Sequence, residues 1–421
     1  MTQKTSILKK LYVMALGIGP GIFAIGYTIG TGSVTTMAVA GSQYGMQLLW
    51  VLFISCLFSW VMMEAYGRYS LVTEETALFG FRKHLKFGSL IGILIILGIS
   101  FGQWNSLIGI LGISAHSIFE VLALFIPSLA GYEYWGILII ALCIISLMYG
   151  ILWKGSYSIF EKILLVFVSL MGLSFLLSLL IVLPNPTKIA KGFIPSIPQV
   201  EGGNALVVAF VGTTMAAATF LSRPLFIKGK GWTKDNLREQ SKDALWASIL
   251  VFLISGSIMA VAMGTMHEEG KTIGKVLDMV YTLEPIAGQF AVAIFFLGTL
   301  GAGLSSIFPI LMIAPLLIAD FQAGKLDTQS NQFKILAGIA CLIGLTVPVL
   351  GVNPIKAQIL TQIFNVFVLP LVIIGIMFLI NNQKLMGAQK AGPILNFGMS
   401  LALIFACIIS YNGLLSIYQS I

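Results

Sequence analysis

The sequence predicts an all-α integral membrane protein of about eleven helices in two inverted halves, and three observations carry that prediction. The 421-residue chain is 58% hydrophobic and 10% charged, with a mean hydropathy of +0.98, far outside the range of soluble globular domains. Apolar runs of about 20 residues, enough to cross roughly 30 Å of hydrocarbon as a helix, recur along nearly the whole length. Two of these runs are interrupted by Gly, Ser and Thr at matching places, the pattern of transporters built from inverted repeats.

Taken in order, residues 1–12 form a lysine-bearing tail (Lys4, Lys9, Lys10) placed in the cytoplasm. The apolar stretch behind it is too long for a signal peptide and lacks a small-residue cleavage site, so it is expected to be retained. Span one, 13–40, holds the first interruption, YTIGTGSVTTM, and span two, 46–67, carries Glu64. Span three, 89–126, contains Gln103, Asn105 and Glu120; spans four and five, 134–152 and 159–183, are plainly apolar and complete a first half over 13–183. An outer loop, 184–202, leads to span six, 203–226, where VGTTMAAATFLSRP is the second interruption and Arg223 with Pro224 is expected to end the segment. Spans seven to ten, 243–264, 286–319, 334–350 and 357–380, complete a second half over 203–380, with Gln362 and Asn365 in span ten. Residues 381–421 supply a loop and span eleven, 395–417.

A cytoplasmic amino terminus leaves only Lys188, Lys191, Lys271, Lys275 and Lys356 outside, and the other 19 of the 24 Lys and Arg inside. This follows the positive-inside rule, so the net charge of +8 reports topology in the inner membrane of a prokaryote, with the carboxyl terminus outside, and not nucleic-acid binding. Cys56, Cys143, Cys341 and Cys407 lie in apolar spans without CxxC spacing and read as buried small hydrophobes. His84, His116 and His267 are too dispersed to hold a metal. No cofactor, catalytic constellation or obligate protein partner is implied; the lipid bilayer is the one macroscopic partner.

Unwinding a helix in hydrocarbon exposes N–H and C=O groups at several kcal/mol each, and is tolerated where protein, water or substrate satisfies them. The two interruptions are therefore the expected substrate site, with Gly30, Thr31, Gly32, Ser33 and Thr35 from span one and Thr213, Thr214, Ala216, Ala217 and Thr219 from span six. Gln103, Asn105, Gln362, Asn365 and Arg223 are expected along the pathway or at its gate, although Arg223 also reads as one more inner positive residue beside Lys228 and Lys230. Glu64 and Glu120 receive no role.

GPG at 19–21, AGSQYGMQLLWV at 40–51, AGLSS at 302–306 and the stretch from Gln362 through Leu369–Pro370 to NQKLMG at 382–387 resemble the Nramp family of proton-coupled divalent-metal transporters over nearly the entire chain. The resemblance implies a LeuT-like fold with substrate bound between spans one and six. Ungapped counting places the family's Asp-Pro-Gly-Asn motif on Gly30, Thr31, Gly32 and Ser33, and its Met-Pro-His motif on Ala216, Ala217 and Ala218. Acidic positions of the third span fall on Gln103, Ile110 and Ile113, and a histidine falls on Arg223. Carboxylate and thioether are thus missing together, whereas transition metals want such ligands and hard cations want several oxygens. Helix N-termini and hydroxyls suit anions, so the expected cargo is a small anion, bicarbonate foremost, with a small organic acid or amino acid as an alternative and a divalent cation (Mn or Mg) at an altered site as a second.

Overall fold

The computed structural model describes residues 19–154, 157–196, 198, 203–274, 278, 284–351 and 353–420. The expected cytoplasmic tail, the start of span one and Lys275 lie outside the described residues.

Among those residues the regular structure is all helical, and each membrane-length helix follows an apolar run. The first span is a pair, α1 (Gly21–Thr28) and α2 (Thr31–Tyr44), bent by 53° across Ile29 and Gly30. Then come α3 (Leu49–Thr73), the short α4 (Ala77–His84), α5 (Gly88–Phe125), α6 (Glu133–Trp153) and α7 (Tyr157–Val182). The sixth span is again a pair, α8 (Gly203–Thr214) and α9 (Ala217–Lys230), followed by α10 (Leu237–Thr265), α11 (Glu284–Ala323) and α12 (Asn331–Gly344). The tenth is α13 (Pro354–Asn365) and α14 (Leu369–Asn381), and α15 (Pro393–Ser420) is the eleventh. Among the described residues ten helices or continuous pairs are long and apolar enough to cross a membrane, and the bent first pair makes eleven.

Burial sorts them into core and shell. The sixth span is 94% buried and the eighth 83%, whereas the fifth is 28% and the eleventh 22%. The broken spans are therefore wrapped by protein, as unwound backbone in a membrane requires. Cys56 and Cys341 are buried as expected, but Cys143 and Cys407 are exposed, because α6 and α15 belong to the outer shell and turn one face outward.

Two details depart from the sequence reading. Pro224 does not end its segment: α9 runs through it to Lys230, giving up only the one hydrogen bond that proline cannot donate. Span ten, read as continuous, breaks at residues 366–368, and Pro370 opens α14 without needing an N–H partner. The carbonyl of Val366 in that turn accepts from Ser410 Oγ of α15 at 3.0 Å.

Close helix contacts explain particular glycines. A Cβ on Gly212 of α8 would stand 2.0 Å from the Gln362 carbonyl of α13, and one on Gly41 of α2 would stand 2.3 Å from the Met259 carbonyl of α10. The first contact brings backbones together beside the sixth-span break, and the second does so near the end of α2.

The turn between α3 and α4 is fastened by Glu75, which accepts from Lys83 Nζ (2.5 Å) and Tyr69 Oη (3.0 Å) and bonds His84 Nε2 (2.8 Å). Burial alone would raise the pKa of this carboxyl, but the three side chains outweigh it and hold it below the ordinary glutamate value. The folded pKa is depressed, so the stabilisation is present above the ordinary value of about 4.3 and is lost as pH falls through the folded one. Thermal unfolding in detergent should show an acid-side decline that is shallower in Glu75→Gln; identical pH profiles would remove Glu75 from the clamp.

Candidate functional site

The site begins with carbonyls that the breaks leave without helical partners. Gly26, Thr28 and Thr214 are among the residues whose i+4 amides lie across a break, and each of these three carbonyls accepts from a hydroxyl of another span. Ser306 Oγ of α11 donates to Gly26 O (2.6 Å), Thr213 Oγ1 of α8 donates to Thr28 O (3.2 Å), and Ser59 Oγ of α3 donates to Thr214 O (2.9 Å). The Thr213 bond ties the two breaks directly to each other.

Between the breaks, α5 and α13 lies a cavity of about 20 Å3, room for one water-sized body. Gly30, Gly32, Thr213 and Ala216 line it from the broken spans, with Tyr27 of α1, Gln103 and Ser106 of α5, and Gln362 and Asn365 of α13. The α5 and α13 side chains form a ladder: Gln103 Nε2 donates to Asn365 Oδ1 (3.1 Å), Asn365 Nδ2 to Gln362 Oε1 (3.0 Å), and Gln362 Nε2 to Ser106 Oγ (3.2 Å). The Tyr27 hydroxyl is buried with no partner among the described residues. No carboxylate or sulfur lines this cavity.

Gly30 has an extended backbone, φ −97° and ψ −174°, which any residue adopts. Its lack of a side chain follows from packing: a Cβ there would lie 2.3 Å from Ser306 Oγ. Ser306 thus fills the volume into which a side chain at position 30 would grow.

A second, smaller cavity of about 10 Å3 lies between α1, α3, α9 and α10 and is lined by Thr28, Ser59, Thr214 and Thr219. Beyond it the α1 end is locked. Asp243 of α10 accepts from the Gly19 and Gly21 amides, both at 2.8 Å, and from Arg223 Nη2 at 2.9 Å. Arg223 also donates to Gln240 Oε1 and O, and Gln240 Nε2 donates to Glu64 Oε2 (3.0 Å), itself paired with Arg68 (2.6 Å). The side chains of Arg223 and Asp243 are 2% and 1% exposed, so Arg223 is not a solvated inner positive residue.

Of the residues expected at the site, Gly30, Gly32, Thr213, Ala216, Gln103, Gln362 and Asn365 meet at the first cavity, while Thr214 and Thr219 line the second. Ser33 bonds Ser255 Oγ (3.3 Å), and Thr35 and Ala217 are buried in the surrounding packing; the side chain of Thr31 lies outside the described residues. Asn105 is elsewhere: its amide donates to Phe101 O of its own helix, since it projects two residues away from the Gln103 face. Tyr27, Ser106, Ser306 and Asp243 escaped the sequence reading. Ser106 alone had a signal, its three-residue spacing from Gln103.

Against known proteins, residues 21–416 match the family model of natural resistance-associated macrophage protein-like (Nramp) proteins. The divalent metal cation transporter MntH of Caldanaerobacter subterraneus subsp. tengcongensis is 26% identical over 248 residues, 58% of this chain and 57% of the relative. That of Acidiphilium cryptum is 24% identical over 383 residues, 88% and 83% respectively. A crystal structure of the Eremococcus coleocola manganese transporter superposes with a TM-score of 0.72 at 15% identity, covering 100% of this chain and 89% of that one. The fold is LeuT-like, as the resemblance implied.

These relatives are named for metal cations, which overturns the expectation of a small anion and of bicarbonate. The site gives a physical reason. The Thr213 hydroxyl expected to donate to an anion donates instead to a backbone carbonyl, which leaves its oxygen as an acceptor. Donors are what an anion needs.

Two outcomes test this geometry. Gly30→Ala should destabilise by about 1–3 kcal/mol through overpacking, and Gly30→Ala with Ser306→Gly should cost less than the two single changes added; a fully tolerated Gly30→Ala would refute the contact. Asp243→Ala should cost about 3–5 kcal/mol by stranding the buried Arg223 charge, and Arg223→Met with Asp243→Leu should cost less than the two single changes added, as read by denaturation midpoints.

Proposed function

Since the chain belongs to the Nramp family, we propose that it is a membrane carrier of a hard divalent cation, of the Mg2+ or Mn2+ class, at a site altered from the family motif and worked by alternating access. The observation that carries this reading is the oxygen inventory of the first cavity: phenol, amide and hydroxyl oxygens from Tyr27, Gln103, Ser106, Thr213, Gln362 and Asn365, with glycine backbone at Gly30 and Gly32. Hard cations take neutral amide, backbone and water oxygens, whereas sulfur and imidazole favour the softer, later metals. Without a carboxylate the cation keeps part of its water shell, as Mg2+ does most readily. The names of the relatives point to the same class of cargo.

The ligands in this reading are the first-cavity residues. Thr31, Ser33, Thr35, Thr214, Ala217 and Thr219 shape the broken helices around them, and Arg223 with Asp243 closes the α1 end. We place that end in the cytoplasm, take 13–183 and 203–380 as the two repeats, and assign the protein to a prokaryotic inner membrane with its carboxyl terminus outside; the charge distribution supports this orientation. A cavity for one water-sized body does not hold a partly hydrated cation, so we take this as a closed form of the carrier that opens to admit one. Gln103, Ile110 and Ile113, not carboxylates, occupy the α5 positions that the resemblance makes acidic, and neither an amide nor an aliphatic side chain releases a proton at working pH, so the cation moves without an accompanying proton.

The test is uptake into proteoliposomes carrying a divalent-cation dye and, in parallel, a pH dye. Mg2+ or Mn2+ entry with no matching acidification, and only weak competition by Cd2+, is the expected result. Entry of none of the divalent cations would sink the reading.

A further inference from the structure

We propose that Gln358 is a further cargo ligand, meeting the cation between the outer mouth and Gln362; this deepens the cation reading above and rests on it. Gln358, Gln362 and Asn365 share one face of α13 at i, i+4 and i+7. The latter two have their amides engaged in the ladder. Gln358 has none of this: it is 0% exposed, and neither its Oε1 nor its Nε2 has a partner among the described residues. A buried amide with both ends unpaired destabilises the fold, and an aliphatic side chain of similar volume would not. The closed form therefore gains nothing from the polarity of Gln358, which points to use in another form.

Its place says which form. A Cβ on Gly32 would stand 2.4 Å from Gln358 Nε2, and a Cβ on Gly109 would stand 2.2 Å from Gln358 Oε1. The amide is wedged between α2 and α5 where both helices present glycine. The same Gly32 position lies 2.5 Å from Gln362 Nε2, so Gln358 is the next rung beyond Gln362, about 6 Å along the helix axis. It lies toward the α13 start, opposite in the fold to the Arg223–Asp243 lock. When α13 parts from α2 and α5 on that side, the wedge opens and the amide oxygen becomes free for an entering cation, a hard donor for a hard ion.

The experiment compares the unaltered protein with Gln358→Leu and Gln358→Met in proteoliposomes, measuring initial Mg2+ and Mn2+ uptake against concentration together with the thermal midpoint in detergent. We expect an unchanged or raised midpoint in both variants and an uptake loss of about tenfold at low cation, expressed as a raised KM, the scale of one lost ligand interaction. Uptake at the level of the unaltered protein would make the residue a mere wedge and overturn the proposal. A lowered midpoint in both variants would equally overturn it, because the amide would then be making bonds that hold the fold. Failure of the unaltered protein to move either cation is a separate result: it removes the cargo reading and this inference together.

Discussion

The structure depends on backbone carbonyls that lack helical partners in a place without water. Breaking α1 from α2 and α8 from α9 creates them, and a medium of low dielectric makes each one costly. Ser306, Thr213 and Ser59 satisfy them from three different spans. Because Thr213 reaches from one break to the other, the first broken span relies on the sixth for a donor to one of its carbonyls. The abundance of small hydroxyl residues in the core is thus first a requirement of the backbone, and only what remains after that requirement is met is open to cargo.

This ordering explains where the reading of the sequence succeeded and failed. The spans were legible because hydropathy at helical length is a local property, and the two breaks were legible because Gly and Thr stand out against Leu and Ile. The first cavity was legible in Gly30, Gly32, Gln103, Gln362 and Asn365. Cargo class was not, because the same Thr and Ser residues serve an anion or a carbonyl equally well, and the choice depends on where each proton points. The tenth-span break was missed because Val366, Phe367 and Val368 are as apolar as a helix interior, so composition gave no warning.

Asp243 illustrates a different limit. In sequence it is the first residue of the seventh span, 243–264, directly after Lys242, and nothing local marks it. In the fold it joins residues more than 220 positions away, Gly19 and Gly21, to Arg223. The GPG that opens the first span thereby acquires a reason: a Cβ on Gly19 would stand 2.5 Å from the Trp232 ring, and one on Gly21 would stand 2.7 Å from Asp243 Oδ1. Long-range pairing of this kind has no periodicity to betray it.

The contact of Ser306 with Gly30 also bears on how such a site changes over generations. A lineage holding this pair does not acquire an acidic side chain at position 30 by one substitution, since the new Cβ meets Ser306 first. Shrinking Ser306 beforehand frees the volume but strips the Gly26 carbonyl of its donor. Either order passes through a less stable intermediate, so positions 30 and 306 constrain each other in what they can become.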